Sequence, residues 1–243
     1  KLEEANAKYE ITDKRETGQK IDFQFTGKLY DEQKGALKAL LKEDVGILSA
    51  GTGFGKTVVA SALIAERNVN TLILVQSHAL LEQWKKAIKQ FLDITPGTIA
   101  AGKNKSTGIV DIAIVNSLIE KGSDELRPRS YKYGMLIVDE CHHVSAFSTE
   151  NLVASFKAKY VYGLTATPIR RDGHQKIIFY QCGSVLYSTT TKQMNAAQDF
   201  AHYFIPRFSS FHYVPELTES KNPSINQYYE KLISNSTRNE LII

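Results

Sequence analysis

The segment Ala50-Gly51-Thr52-Gly53-Phe54-Gly55-Lys56-Thr57 combines a glycine-rich stretch with an ammonium and a hydroxyl. A loop of this composition, set between a strand and a helix, can wrap backbone N–H groups around a di- or triphosphate. The first turn of the following helix adds unpaired donors and the positive end of its dipole. Gly51, Thr52, Gly53 and Gly55 would form the cradle. Lys56 would reach the outer phosphates, and the Thr57 hydroxyl is a hard oxygen donor suited to Mg²⁺. The strict pattern has glycine where this chain has Ala50. The competing reading is a glycine-rich turn that holds no ligand.

A second cluster follows roughly 80 residues later, where Met135-Leu136-Ile137-Val138 runs into Asp139-Glu140-Cys141-His142-His143. Two acids at the end of a buried strand are what a phosphate-loop protein needs to complete its site. Asp139 would hold Mg²⁺ through water, opposite Thr57, and Glu140 would orient or deprotonate an attacking water. Two solvated acids at a strand end are the alternative. Zinc is not expected: Cys141, His142 and His143 are adjacent, and a tetrahedral ion is normally held by spaced pairs.

These side chains work only if strands deliver them to one edge. Val45-Gly46-Ile47-Leu48 reads as a short buried strand before the loop, and Val58 to Arg67 as a helix after it. Further strands are expected at Val45–Ser49, Thr71–Gln76, Asp111–Asn116, Gly134–Asp139 and Tyr160–Leu164. A helix is expected from about His78 to Phe91, with Leu80, Leu81, Trp84, Ile88 and Phe91 facing a sheet. Trp84 therefore reads as core. Leu37, Leu40 and Leu41 line one face of an earlier helix, and Ile21 to Phe25 alternates like a possible edge strand. Near-continuous apolar strands alternating with helices argue for an α/β fold with a mostly parallel sheet covered on both faces.

The chain has 243 residues, 42% hydrophobic and 23% charged, which suits one large α/β domain, or one domain plus a partial second. No apolar run approaches a membrane span. Two cysteines make no disulfide framework and suggest a reducing compartment. The net charge of +4 permits contact with nucleic acid without demanding it. We divide the chain into an extension over 1–28, the nucleotide-binding domain over 29–183, and a C-terminal extension or linker over 184–243.

The order of phosphate loop, Asp139-Glu140-Cys141-His142 and Gly163-Leu164-Thr165-Ala166-Thr167-Pro168 resembles superfamily 2 helicases and DNA translocases of the DEAD/DEAH kind. The sequel Ile169-Arg170-Arg171-Asp172-Gly173 looks closest to XPB-like translocases and the ATPase subunits of restriction and phage-defence systems. The likeness covers roughly Leu29 to Gly183. It implies a RecA-like phosphate-loop NTPase domain, part of an ATP-driven motor that uses Mg²⁺ and moves on DNA or RNA. It assigns catalysis to Lys56, Asp139, Glu140 and His142, and coupling between ATP and nucleic acid to Thr165 and Thr167. Gln33, in Leu29-x-x-x-Gln33-x-x-Ala36-Leu37, would read adenine; the alternative is an exposed helix residue. Gln76, Ser77, Gly102, Asn116 and Ser117 would contact the nucleic-acid backbone, or else be ordinary caps and turns.

The resemblance also implies a cytoplasmic protein of bacterial or phage type, whose second RecA-like domain supplies arginine fingers in cis. None is found in these residues, so the chain is expected to be a fragment that binds nucleotide but hydrolyses it weakly. Two rivals stand beside this reading: an unrelated phosphate-loop NTPase, and a non-catalytic nucleotide-binding interaction module.

Overall fold

Strands buried on both faces need no polar alternation, and here they form one eight-stranded sheet. The computed structural model describes residues 12–119, 132–142, 147–166, 175–189, 205–206, 208–209 and 225–241. Its strands are β1 (Val45–Ala50), β2 (Thr71–Val75), β3 (Gly97–Ala100), β4 (Lys103–Lys105), β5 (Val110–Ile114), β6 (Met135–Asp139), β7 (Tyr160–Thr165) and β8 (Val185–Thr189). They lie in the order β4-β3-β5-β2-β6-β7-β1-β8. Among the pairings of these strands, β3–β4 alone is antiparallel. β2, β5 and β6 are buried at every residue, which explains their unbroken apolar sequences.

Helices α1 (Asp31–Leu41), α2 (Lys56–Arg67) and α3 (His78–Leu92) cover one face; α4 (Phe147–Ser155) and α5 (Gln175–Cys182) cover the other. Alternate strand residues divide accordingly: Ile73 and Ile137 pack toward the first layer, Leu72 and Leu136 toward the second. Trp84 is fully buried in the first layer, as its place in the helical stripe predicts. Each buried Leu or Ile of these layers is worth about 1.5–3 kcal/mol of transfer free energy.

Two segments depart from the sequence expectation. Ile21–Phe25 forms no strand of the sheet. It is tied down as irregular chain: Ile21 N–H donates to the Asn68 carbonyl at 3.0 Å and Phe23 N–H to Asn68 Oδ1 at 2.8 Å, with Phe23 buried. Asn68 is free to do this because it sits in the left-handed region (φ 52°) at the end of α2. The sheet also continues past the boundary at Gly183, because β8 pairs with β1. Its Tyr, Ser and Thr residues suit a half-buried edge.

The chain divides into two compact units, Lys1–Ala197 and Gln198–Ile243. In the second, helices Ile225–Ser234 and Ser236–Glu240 meet at Asn235, whose Oδ1 accepts from Arg238 N–H at 2.8 Å. No helix among the described residues is long and apolar enough to cross a membrane.

Candidate functional site

Parallel strands end level with one another, and here that alignment assembles the site. β1 pairs with β7 so that Ser49 lies opposite Thr165, and β6 pairs with β7 so that Asp139 lies opposite Leu164. The loop after β1 and the acids after β6 are thus two strand spacings apart, about 10 Å, with the end of β7 between them.

The phosphate-loop residues turn as the sequence requires. Gly53 and Gly55 take φ of 87° and 83°, a region that side chains with a Cβ avoid. Gly55 caps α2, so the helix starts at Lys56, two residues before the periodicity alone indicates. A Cβ on Gly55 would also lie 2.5 Å from Gln33 Nε2. Lys56 Nζ donates to the Ala50 carbonyl at 2.8 Å, folding the ammonium back over its own loop. Thr52 and Gly53 are exposed, Gly51 and Thr57 partly so. A cavity of about 490 Å³ opens beside the loop, lined by Gly55, Thr57, Val58, Gln83, Lys86 and Phe91 among others.

Gln33 is buried, so the exposed-helix alternative is not the one realised. Its Oε1 accepts from Tyr30 N–H at 3.0 Å and its Nε2 donates to the Phe54 carbonyl at 2.8 Å. One lone pair and one N–H of the amide remain.

Across the edge, Asp139 is 7% exposed. Oδ2 accepts from Trp84 Nε1–H at 2.8 Å, and Oδ1 from Glu140 N–H at 3.0 Å. Burial raises the carboxyl above its ordinary range; the Trp84 hydrogen bond and the Lys56 charge oppose the rise, and the Glu140 charge adds to it. Lys56 and Asp139 therefore act on each other electrostatically. Glu140 takes φ of 49°, a strained backbone for a non-glycine residue. Its Oε2 is 3.2 Å from His142 Nδ1, which is also 3.1 Å from Thr165 Oγ1. A carboxylate oxygen only accepts, which favours the tautomer with the proton on Nδ1. Thr165 is fully buried at the end of β7. Thr167 lies outside the described residues.

Cys141 faces inward beneath the acids. The hydrogen bond to Cys182 and burial hold its thiol well above the usual range, the opposite of what a reactive or metal-bound cysteine needs. No three His, Cys, Asp or Glu side chains converge as a metal cluster among the described residues.

The remaining candidates end other strands of the same edge. Gln76 and Ser77 follow β2; Ser77 Oγ accepts from Leu80 N–H at 3.3 Å and caps α3. Gly102 follows β3 with φ of 76°, and Ser117 Oγ, after β5, accepts from Ala101 N–H at 3.2 Å. Asn116 is exposed. Gln76 Nε2 is buried and without a hydrogen-bond partner among the described residues. What the sequence missed is the second role of Trp84. Its apolar spacing marks it as core, yet a buried indole N–H needs an acceptor, and Asp139 is that acceptor.

Residues 26–170 match the family described as type III restriction enzyme, res subunit. The chain belongs to that family. The chain is 35% identical over 179 residues to the DNA 3'-5' translocase XPB2 of Sulfurisphaera tokodaii, an alignment covering 74% of the chain and 39% of the relative. It is 29% identical over 174 residues to the DNA 3'-5' helicase XPB of Mycobacterium tuberculosis, covering 69% and 33%. The chain thus spans less than half the length of these relatives. The solved structure of the UvsW helicase from bacteriophage T4 superposes with a TM-score of 0.53 at 19% identity, over 76% of this chain and 74% of that one. That likeness is one of fold: a mostly parallel sheet covered by helices.

Proposed function

We propose that this chain binds Mg²⁺·ATP and serves as the first RecA-like half of an ATP-driven motor that moves on DNA or RNA. The observation that carries the reading is the level ending of β1, β7 and β6, with Lys56 and Thr57 on one side, Thr165 between, and Asp139 and Glu140 on the other.

The residues fit a hydrated Mg²⁺. Asp139 and Thr57 offer hard oxygen donors, and a carboxylate whose charge is disfavoured by burial gains from a cation. When bound with nucleotide, Mg²⁺ neutralises phosphate charge. Lys56 would exchange the Ala50 carbonyl for phosphate oxygens. Glu140 would accept a proton from the attacking water, held in orientation by His142. Thr165, sharing Nδ1 of His142 with Glu140, would carry a change at the acids into β7. Thr167, in the same motif, would share that coupling role.

Gln76, Ser77, Gly102, Asn116 and Ser117 end β2, β3 and β5, in the half of the sheet away from the phosphate loop. We assign them to the nucleic-acid backbone, where short polar side chains and exposed N–H groups hold phosphates without reading bases. The unpartnered Gln76 Nε2 supports this, since a buried donor left unpaired costs about 1–3 kcal/mol. Gln33 keeps enough hydrogen-bonding capacity to meet adenine. In the whole protein, a second RecA-like domain would supply arginine fingers worth about 10³–10⁵ in rate. The chain alone would then bind nucleotide and turn it over slowly.

The test is turnover of ATP by the longer protein, with and without DNA. Glu140→Gln should retain nucleotide binding and abolish DNA-stimulated hydrolysis. Retained turnover would remove Glu140 from catalysis, and absence of any nucleic-acid stimulation in the parent protein would contradict the motor reading.

A further inference from the structure

Trp84 and Asp139 are 55 residues apart in sequence and 2.8 Å apart at Nε1 and Oδ2. The indole lies fully buried in α3, in the layer between helices and sheet, and it is the chain's single tryptophan. Leucine would fill a core position of a helical stripe without bringing a polar N–H. Tryptophan here brings one and spends it on the carboxylate that ends β6. The other carboxylate oxygen is held by Glu140 N–H at 3.0 Å. Two donors, one on each oxygen, fix the plane of the carboxyl and leave about one lone pair on each oxygen for a further partner. A carboxylate that is 7% exposed has little room to find that orientation by itself.

We propose that Trp84 is a positioning residue for the cation site. Its N–H holds Asp139 in the orientation that receives hydrated Mg²⁺ with the nucleotide, and its emission reports occupancy of that site. The inference rests on the reading of Asp139 as the Mg²⁺-side acid. Outer-shell donors to metal-binding side chains are typically worth 10–100-fold in metal affinity. A purely structural indole would instead stabilise the fold and leave the cation dependence of nucleotide binding untouched.

The experiment compares ADP affinity in excess Mg²⁺ with ADP affinity in a chelator, by calorimetry. The proteins are the wild type, Trp84→Phe, and a form in which the lone tryptophan is replaced by β-(3-benzothienyl)alanine. The last keeps the two-ring shape and lacks only the N–H, so it tests the proposal even where Trp84→Phe folds poorly. Both replacements should reduce the Mg²⁺ enhancement about 10–100-fold while leaving chelator affinity within about twofold. In the wild type, adding Mg²⁺ to the ADP complex should shift Trp84 emission. Enhancement preserved in the benzothienyl protein, or emission unmoved by Mg²⁺, would overturn the proposal and leave the site reading intact. A wild type with no Mg²⁺ enhancement at all would overturn both.

Discussion

Gln33 donates its amide N–H to the carbonyl of Phe54 at 2.8 Å, joining the first turn of α1 to the middle of the phosphate loop. The same amide oxygen receives Tyr30 N–H at 3.0 Å, so one side chain fixes both the start of the helix and the shape of the loop.

Gln33→Ala removes both bonds and leaves the Phe54 carbonyl without its donor. The expected cost is about 1–3 kcal/mol of stability, which for a domain of this size lowers Tm by roughly 2–12 °C. Nucleotide affinity should fall as well, because the cradle loses its brace. Thermal melts with and without ADP check both; an unchanged melt would show that the bond is replaced by water at no cost.

Gly163→Ala tests the packing beneath the acids. A Cβ there would stand 2.8 Å from Cys141 Sγ and 3.2 Å from Cys182 Cβ, in a strand buried on both faces. Overpacking of this kind costs about 1–3 kcal/mol. Since Cys141 directly follows Glu140, the substitution should slow ATP turnover more than it weakens ADP binding. Equal losses in both would place the damage in the fold as a whole.

Asp139 sets a pH dependence of definite sign. Its folded-state pKa is raised, chiefly by burial, so the folded chain holds this proton more tightly than the unfolded chain does. Its stabilising contribution is complete below the unfolded value, near 3.8, and is lost as pH rises through the folded value. Above the folded value the ionised, buried group is a cost that a bound cation offsets. The rise in Tm produced by Mg²⁺·ADP should therefore shrink as pH is lowered through the raised folded value of Asp139. A Mg²⁺·ADP increment that grows on acidification would reverse the assigned sign.

The parallel sheet was readable because strands buried on both faces leave continuous apolar runs, as in Leu72–Val75 and Met135–Val138. The loop and the acids were readable because their chemistry is local: glycines with positive φ, a lysine beside a hydroxyl, acids closing a strand. β8 was not, because an edge strand of Tyr, Ser and Thr carries no such run and its partner, β1, lies some 140 residues earlier. The short β3–β4 hairpin was missed for the same reason, its second strand being fully exposed. Ile21–Phe25 alternates like a strand, yet Asn68 and the end of α2 take its backbone hydrogen bonds instead. The Trp84–Asp139 bond joins two elements through the fold, and nothing in either local sequence announces it.

The most direct test of the central claim is calorimetric titration of the chain with Mg²⁺·ADP, in the wild type and in Lys56→Ala. Among the described residues Lys56 Nζ hydrogen-bonds to carbonyls of its own loop, at 2.8 and 3.5 Å, and reaches Asp139 only through its charge, so its removal should leave the core packing intact. The account predicts one binding site per chain, weakened more than tenfold, or by over about 1.4 kcal/mol, in Lys56→Ala with a cooperative melt retained. Affinity that is equal in the two proteins, or no binding to the wild type, would contradict it.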